Sequence, residues 1–212
     1  DVVGTVLEKL QEIGITNDGE ATIVELKEGS KDSTHWLASD QNFSTIKFHT
    51  PYSGLALDKY LWDQIDKGLH FFTHTFSYEE KNEFQDWAFI HSDWKYLPDE
   101  RKTWMLEQES QSISLAWTEK SAILIPSFTN KILTEKEGEI LIRFSKVFEQ
   151  AYIRFLDLQK AEAQAREAQI EAALEKVRSR SLAMHKSDEI EEVASIVLAK
   201  IQELNITNDG EA

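Results

Sequence analysis

Pro126-Ser-Phe-Thr-Asn-Lys-Ile-Leu-Thr-Glu-Lys-Glu-Gly-Glu-Ile-Leu-Ile-Arg-Phe-Ser-Lys-Val-Phe-Glu-Gln-Ala-Tyr152 carries the chain from a strand, through a polar loop, into a helix. Thr134 and Glu137 have the spacing of a capping box, in which each side chain satisfies the other's backbone N–H at a helix start. Behind them Ile140, Leu141, Phe144, Val147, Phe148, Ala151, Phe155 and Leu158 recur at helical intervals. Neither Gly nor Pro occurs between Gly138 and Gly210, and residues 157–180 are mostly Ala, Glu, Gln, Lys, Arg and Leu, all strong helix formers. The spacing predicts one helix from Thr134 to about His185, about 50 residues and roughly 75 Å at 1.5 Å per residue. That is longer than one small core can cover.

Such a helix invites a partner. One heptad register places Ile153, Lys160, Glu167, Leu174 and Ser181 at a, with Leu156, Ala163, Ile170, Val177 and Met184 at d. A second stripe, Leu158, Ala161, Ala165, Ala168 and Ala172, runs on another face. The expectation is a parallel homodimer in contact through Ile153, Leu156, Ala163, Ile170, Leu174 and Val177, with two nearly balanced registers, as a bistable switch needs. A three-stranded coil or a solvated single helix is the plainer alternative.

Upstream, Val2, Val3, Val6, Leu7, Leu10 and Ile13 predict an opening helix that Asn17-Asp18-Gly19 ends. Ala21–Lys27, Thr34–Ser39 and Phe43–His49 are short, β-branched and aromatic, and predict a meander. A helix over about Leu55–Lys67 shows Leu57, Leu61 and Ile65 on one face and Gly68 as its stop. Leu69–Ser77 follows as a strand, and Tyr78–Ser92 as a helix with Phe84, Trp87 and Ile90 or His91 inward. Residues 99–107 show no clear period. Gln111–Trp117 and Ser121–Phe128 complete a hairpin about Thr118-Glu119-Lys120. The fold class is α/β (α+β): a central antiparallel sheet flanked by helices, with a long C-terminal coiled-coil helix.

The two ends repeat each other. Asp1–Ala21 and Glu192–Ala212 agree at 13 of 21 positions, among them all six from Thr16-Asn-Asp-Gly-Glu-Ala21. An offset of this kind points to a tandem array of modules, so residues 187–212 are expected to open a second copy. The start at Asp1 suits a piece of a longer chain.

Composition narrows the chemistry. Lys+Arg 23 against Asp+Glu 38 gives a net charge of -15, which repels a nucleic-acid backbone. Cys 0 removes disulfides, thiolate nucleophiles and Cys-ligated zinc, and suits the cytoplasm. No apolar run approaches the roughly 18 residues of a membrane span. No phosphate loop, Gly-x-Ser-x-Gly elbow or His-Glu-x-x-His occurs, so no enzyme is expected. His70 and His74 fall in a strand, where i and i+4 stand about 13 Å apart, so no metal site is expected. Glu79, Glu80, Glu83 and Asp86 form a solvated helix face. The aromatics crowd between Trp36 and Trp104, and Trp36, Phe48, Trp62, Phe72, Phe76 and Trp87 are the candidate walls of a small-molecule pocket; filling a solid core is the commoner use of such rings.

The element order, and above all Pro126–Tyr152, resembles the GAF domain, a sensory module of bacterial signalling proteins. Leu158–Arg180 is similar to the helical connector between tandem GAF-like repeats in sensors of the histidine-kinase type. The resemblance implies a sensory domain over 1–156, a signalling helix over 157–186 and the next repeat from 187. It implies a non-catalytic, homodimeric, cytoplasmic relay in a two-component system, with an unidentified small molecule as ligand and no cofactor. The chain departs from cyclic-nucleotide-binding members: Asn130-Lys131 is followed by Leu133 and Glu137-Gly138 rather than by Phe and Asp-Glu. A structural dimerisation spacer with a filled core is the alternative.

Overall fold

The computed structural model describes residues 2–15, 17–27, 29–39, 42–183 and 190–204. The chain divides into two compact units, Asp1–Ala151 and Tyr152–Ala212.

The first unit is built on one six-stranded antiparallel sheet. Helix α1 (Val2–Glu12) precedes β1 (Glu20–Leu26), β2 (Ser33–Ser39) and β3 (Asn42–Thr50). Next come α2 (Ala56–Asp66), β4 (Phe71–Phe76), α3 (Tyr78–His91), a 3-10 turn (Asp93–Tyr96) and α4 (Asp99–Glu107). The hairpin β5 (Gln111–Trp117) and β6 (Ser121–Ser127) then leads into α5 (Glu135–Leu182). The strand order is β3-β2-β1-β6-β5-β4. β1 and β6 thus lie at the centre, with β2 and β3 on one side and β5 and β4 on the other.

Alternation along the strands sorts their side chains onto two faces. Ala21 and Ile23 of β1, Ala38 of β2, Ala116 of β5 and Ile123 and Ile125 of β6 pack with Val3, Leu7, Leu10 and Leu141 of α1 and α5. Val24, Ile113, Leu115, Phe72 and Phe76 face the other way, toward Leu57, Phe84 and Ala88 of α2 and α3. Phe48, Leu97 and Met105 extend that second layer beneath α4.

Local chemistry sets the helix ends. Gly14 has φ 74, its N–H bonds to Gln11 O and the Ile15 N–H bonds to Leu10 O, which is a Schellman stop. Leu10 and Ile15, the apolar pair such a stop brings together, are both buried in the same core. At α5, Thr134 Oγ1 and its backbone N–H both donate to Glu137 Oε2 at 2.7 Å, and the Glu137 N–H donates back to Thr134 Oγ1. The expected capping box is therefore formed. Gly138, one residue on, serves space rather than conformation, since an added Cβ there would lie 2.3 Å from the Phe71 ring.

Two elements differ from expectation. Residues 99–107 form α4, which buries only Met105 and so has no apolar stripe for periodicity to reveal. The buried face of α3 is Lys81, Phe84, Gln85 and Ala88, while Ile90 is 70% exposed. Two polar residues on the inner face hid the true stripe.

The second unit is a helical hairpin. α6 (Ile190–Glu203) runs antiparallel to the end of α5: Arg166 donates to Leu204 O near one end, and Arg180 pairs with Glu192 near the other. Between the two arginines, Ile170, Ala173 and Val177 share their face of α5, and Ala173 is buried. His185 and the repeated turn Asn208-Asp209-Gly210 lie outside the described residues. Among the described residues no helix is long and apolar enough to cross a membrane.

Candidate functional site

The second face of the sheet and the helices over it enclose a cavity of about 130 Å³. Its floor is Thr22, Val24, Leu26, Leu37, Ile113, Leu115 and Leu124, and its roof includes Leu57, Leu61 and Ile65 of α2, Phe84 of α3 and Met105 of α4. The three α2 residues are the stripe expected from spacing. They close the cavity because α2 crosses this face with Leu57 inward.

Polar groups stand at separate places on this apolar wall. Glu20, at the start of β1, accepts from Arg101 Nη2 of α4 at 2.5 Å. Both groups are mostly covered, and a pair held between a strand and a helix fixes α4 over the sheet. The Arg101 guanidinium also lies 4.4 Å from the centre of the Trp104 ring. Toward the far end of β1, Lys31 sits 5.2 Å from the Tyr52 ring and 5.4 Å from Trp62, which meets Trp117 edge-on at 5.7 Å. Asp58 accepts from the Ser53 N–H at 2.7 Å and from its Oγ at 2.5 Å. Burial raises the Asp58 pKa, against the opposing pull of the bonds from Ser53 and Gly54.

His35 lies between these ends on β2. Its Nε2 is 2.8 Å from Ser33 Oγ, and its ring meets Trp94 edge-on, while Trp94 Nε1 donates to Thr50 Oγ1. Burial pushes the imidazole down to about 4, with His49 adding to the effect, so His35 is neutral at pH 7. The unfolded chain therefore takes up a proton between about 6.5 and 4 that the folded one refuses, and stability falls as pH drops through that window. The loss expected from this group is at most about 3 kcal/mol. Urea unfolding at pH 7 and pH 4.5 measures it, and in His35→Gln the slope between those values should flatten; an unchanged slope would mean another group titrates.

Of the six rings expected to form a pocket, Phe48 and Trp62 line this cavity. Phe72 and Phe76 are buried in the layer beside it, where both meet Tyr60 edge-on and Phe76 also meets His74 edge-on. Trp87 packs on that layer, tilted against Phe84. Trp36 belongs to the other face: it packs against the α1 and α5 core and carries Lys47 over its ring at 4.6 Å. Spacing along the chain missed His35, Asp58, Glu20 and Arg101. Glu20 and Arg101 are 81 residues apart and carry no local motif.

The two stretches most legible in the sequence meet in space. Asp18 accepts from the Phe128 N–H and Thr129 Oγ1, both at 2.7 Å, and Asn17 Nδ2 donates to Lys131 O. Burial works to raise the Asp18 pKa, but hydrogen bonds from Thr129, Phe128 and Ser127 outweigh it and hold the carboxylate below its usual range. Asn130, with φ 59, turns the loop between them. The Asn-Asp-Gly motif thus latches the exit of β6 to the end of α1.

Among the described residues no group of three or more His, Cys, Asp or Glu is placed to hold a metal ion. Of the residues expected along a dimer seam, Ile153, Leu156, Ala163 and Leu174 are exposed, whereas Ile170 and Val177 are half-buried on the face of α5 that α6 covers. Compared with family models, with curated proteins and with solved structures, the chain finds no match in any of the three.

Proposed function

We propose that the chain is a non-catalytic sensory module of the GAF-like kind, acting as a homodimer in the cytoplasm and passing the state of its cavity to a downstream domain through α5. The observation that carries the reading is the cavity itself. It is apolar, lined by Trp62, Phe48 and the α2 stripe, and has polar groups at a few points, the pattern of small-molecule sites. The layout also supports it: helices on both faces of one antiparallel sheet, with the long helix packed on the face opposite the cavity.

The size indicates the ligand. An apolar cavity of roughly 150 Å³ holds a benzene ring. At about 130 Å³ the space here matches a small, flat, uncharged molecule no larger than one unsubstituted aromatic ring. Occupancy can move α5 only if the ligand binds its two packings with different affinity. The exposed apolar residues Ile153, Phe155, Leu156 and Leu158 provide a dimer surface on that helix.

Thermal unfolding of the whole chain with a panel of small planar aromatics tests this. A ligand at about 100 times its Kd adds about 2.7 kcal/mol, roughly 5–10 °C for a chain of this length. Leu61→Trp, which fills the space, should abolish the shift, and sedimentation of the same samples should give a dimer mass. No shift with any ligand, together with a Leu61→Trp variant more stable than the parent, would favour the structural spacer.

A further inference from the structure

From Glu192 onward the repeat gives each position of α6 a counterpart at the start of the chain, 191 residues earlier. In α1, which lies over β1, β2 and β3, the inward stripe is Val3, Leu7 and Leu10, exposed by only 7%, 5% and 0%, in one core with Ala21 and Ile23 of β1 and Ala38 of β2. The counterparts in α6 are Ala194, Leu198 and Ile201. All three are exposed, Leu198 by 57% and Ile201 by 39%.

What α6 covers instead is the other side. Ile196 and Lys200 are half-buried and Leu204 is buried, while their counterparts Thr5, Lys9 and Ile13 are exposed in α1. Val197 and its counterpart Val6 are half-buried in both helices and mark the seam between the sides. On the side toward α5 Lys9 is kept as Lys200 and Ile13 stays apolar as Leu204, and one position changes polarity. Exposed Thr5 is replaced by apolar Ile196 on the side toward α5, while the stripe that binds the sheet in α1 stays apolar as Leu198 and Ile201. A helix with one partner needs apolar residues on one side; here they stand both on the covered side, at Ile196, Val197 and Leu204, and on the exposed one, at Leu198 and Ile201.

We propose that α6 is a two-sided helix: while Ile196, Lys200 and Leu204 stay on α5, the stripe Ala194–Leu198–Ile201 seats the sheet of a second domain built like Asp1–Ala151. The occupant is identified by what covers the same stripe in α1, a floor of Ala and Ile side chains from β1 and β2. In the first unit, Ile15–Ala21, the residues that Ile206–Ala212 repeat, lead from that helix directly into β1. The second domain would then be joined to α5 through a helix shared by both, so a shift of α5 would reach its sheet. This inference rests on the repeat and not on the cavity or its ligand.

The chain has no cysteine, so single cysteines report each side. In the 212-residue chain, Leu198→Cys should react with a maleimide about tenfold faster than Ile196→Cys. The same pair is then measured in a chain in which a second copy of residues 22–151 follows Ala212, keeping the repeat in phase. Cys at 198 should become protected by about tenfold, and Cys at 196 should remain protected. Three results overturn the proposal: a second copy that folds by circular dichroism while position 198 labels as before, a second copy that does not fold behind α6, or a position 196 that opens when the second sheet docks.

Discussion

Lys81→Ala is expected to lower the stability of the sheet unit by about 3–5 kcal/mol. Lys81 is 0% exposed, and its Nζ donates to Met105 O at 2.7 Å, to Leu106 O and to Asn82 Oδ1. Desolvation lowers its pKa, against the pull of Asp86. The ammonium stands at the C-terminal carbonyls of α4, where the helix dipole favours a cation. Alanine leaves those carbonyls without their donor and opens a hole beneath Tyr78, whose ring lies 5.4 Å from Nζ. Lys81→Met separates the two effects: it restores the packing and retains a loss of about 1–3 kcal/mol from the carbonyls. Because α4 carries Arg101 and Met105, both variants should also weaken any ligand shift. Chemical unfolding measures the cost, and a Lys81→Met variant as stable as the parent would show that the cation does not hold α4.

Phe76→Ala should cost about 3–5 kcal/mol and leave ligand binding in place. Phe76 is 1% exposed, with Tyr60 at 5.8 Å and His74 at 4.6 Å in edge contacts, and it lies outside the cavity wall. Truncation deletes a whole ring from a filled layer, where neighbours held by β4 and β5 can collapse only in part. Trp62→Ala is the converse. Trp62 is half-buried in the wall, so its stability cost should be smaller, about 1 kcal/mol, while the ligand-induced shift disappears. Equal effects on ligand binding from both positions would show that the layer and the cavity are one space.

The Phe76 and Trp62 pair illustrates what could be read before folding. Both are aromatic, both fall in the crowded stretch, and nothing in their neighbours along the chain separates a core ring from a wall ring. The difference comes from α2, which brings Trp62 to Lys31 and Trp117 at one end of the cavity, while Phe76 sits where β4 meets α3. Lys81 shows the same limit in polar form. A lysine in an acidic helix segment has the pattern of a solvated face, and only the arrival of the α4 carbonyls makes its burial tolerable. The helical hairpin of the second unit carries the point further. The apolar stripe of α5 was legible, but α6 covers part of it, so Ile170 and Val177 differ from Ile153 and Leu156 through a contact that heptad spacing does not contain.

Local patterns determined the order of the elements other than α4, the capping box at Thr134, the stripe of α2 and the unbroken run of α5, because each depends on residues within a turn or two of one another, whereas the first helix stops at Gly14, ahead of the Asn17-Asp18-Gly19 turn expected to end it. The recurrence of Thr16–Ala21 at the far end was likewise fully written in the chain. The tertiary structure decided which face each strand residue takes. Pairing Trp36 with Lys47 and His35 with Phe48 sends Trp36 to the α1 side and His35 to the cavity. A slip of one residue would exchange the two, and the choice of register belongs to both strands together. The Glu20–Arg101 pair, the latch at Asp18 and the two sides of α6 have the same origin: each joins groups far apart in sequence, so its energy exists only once the chain has closed around it.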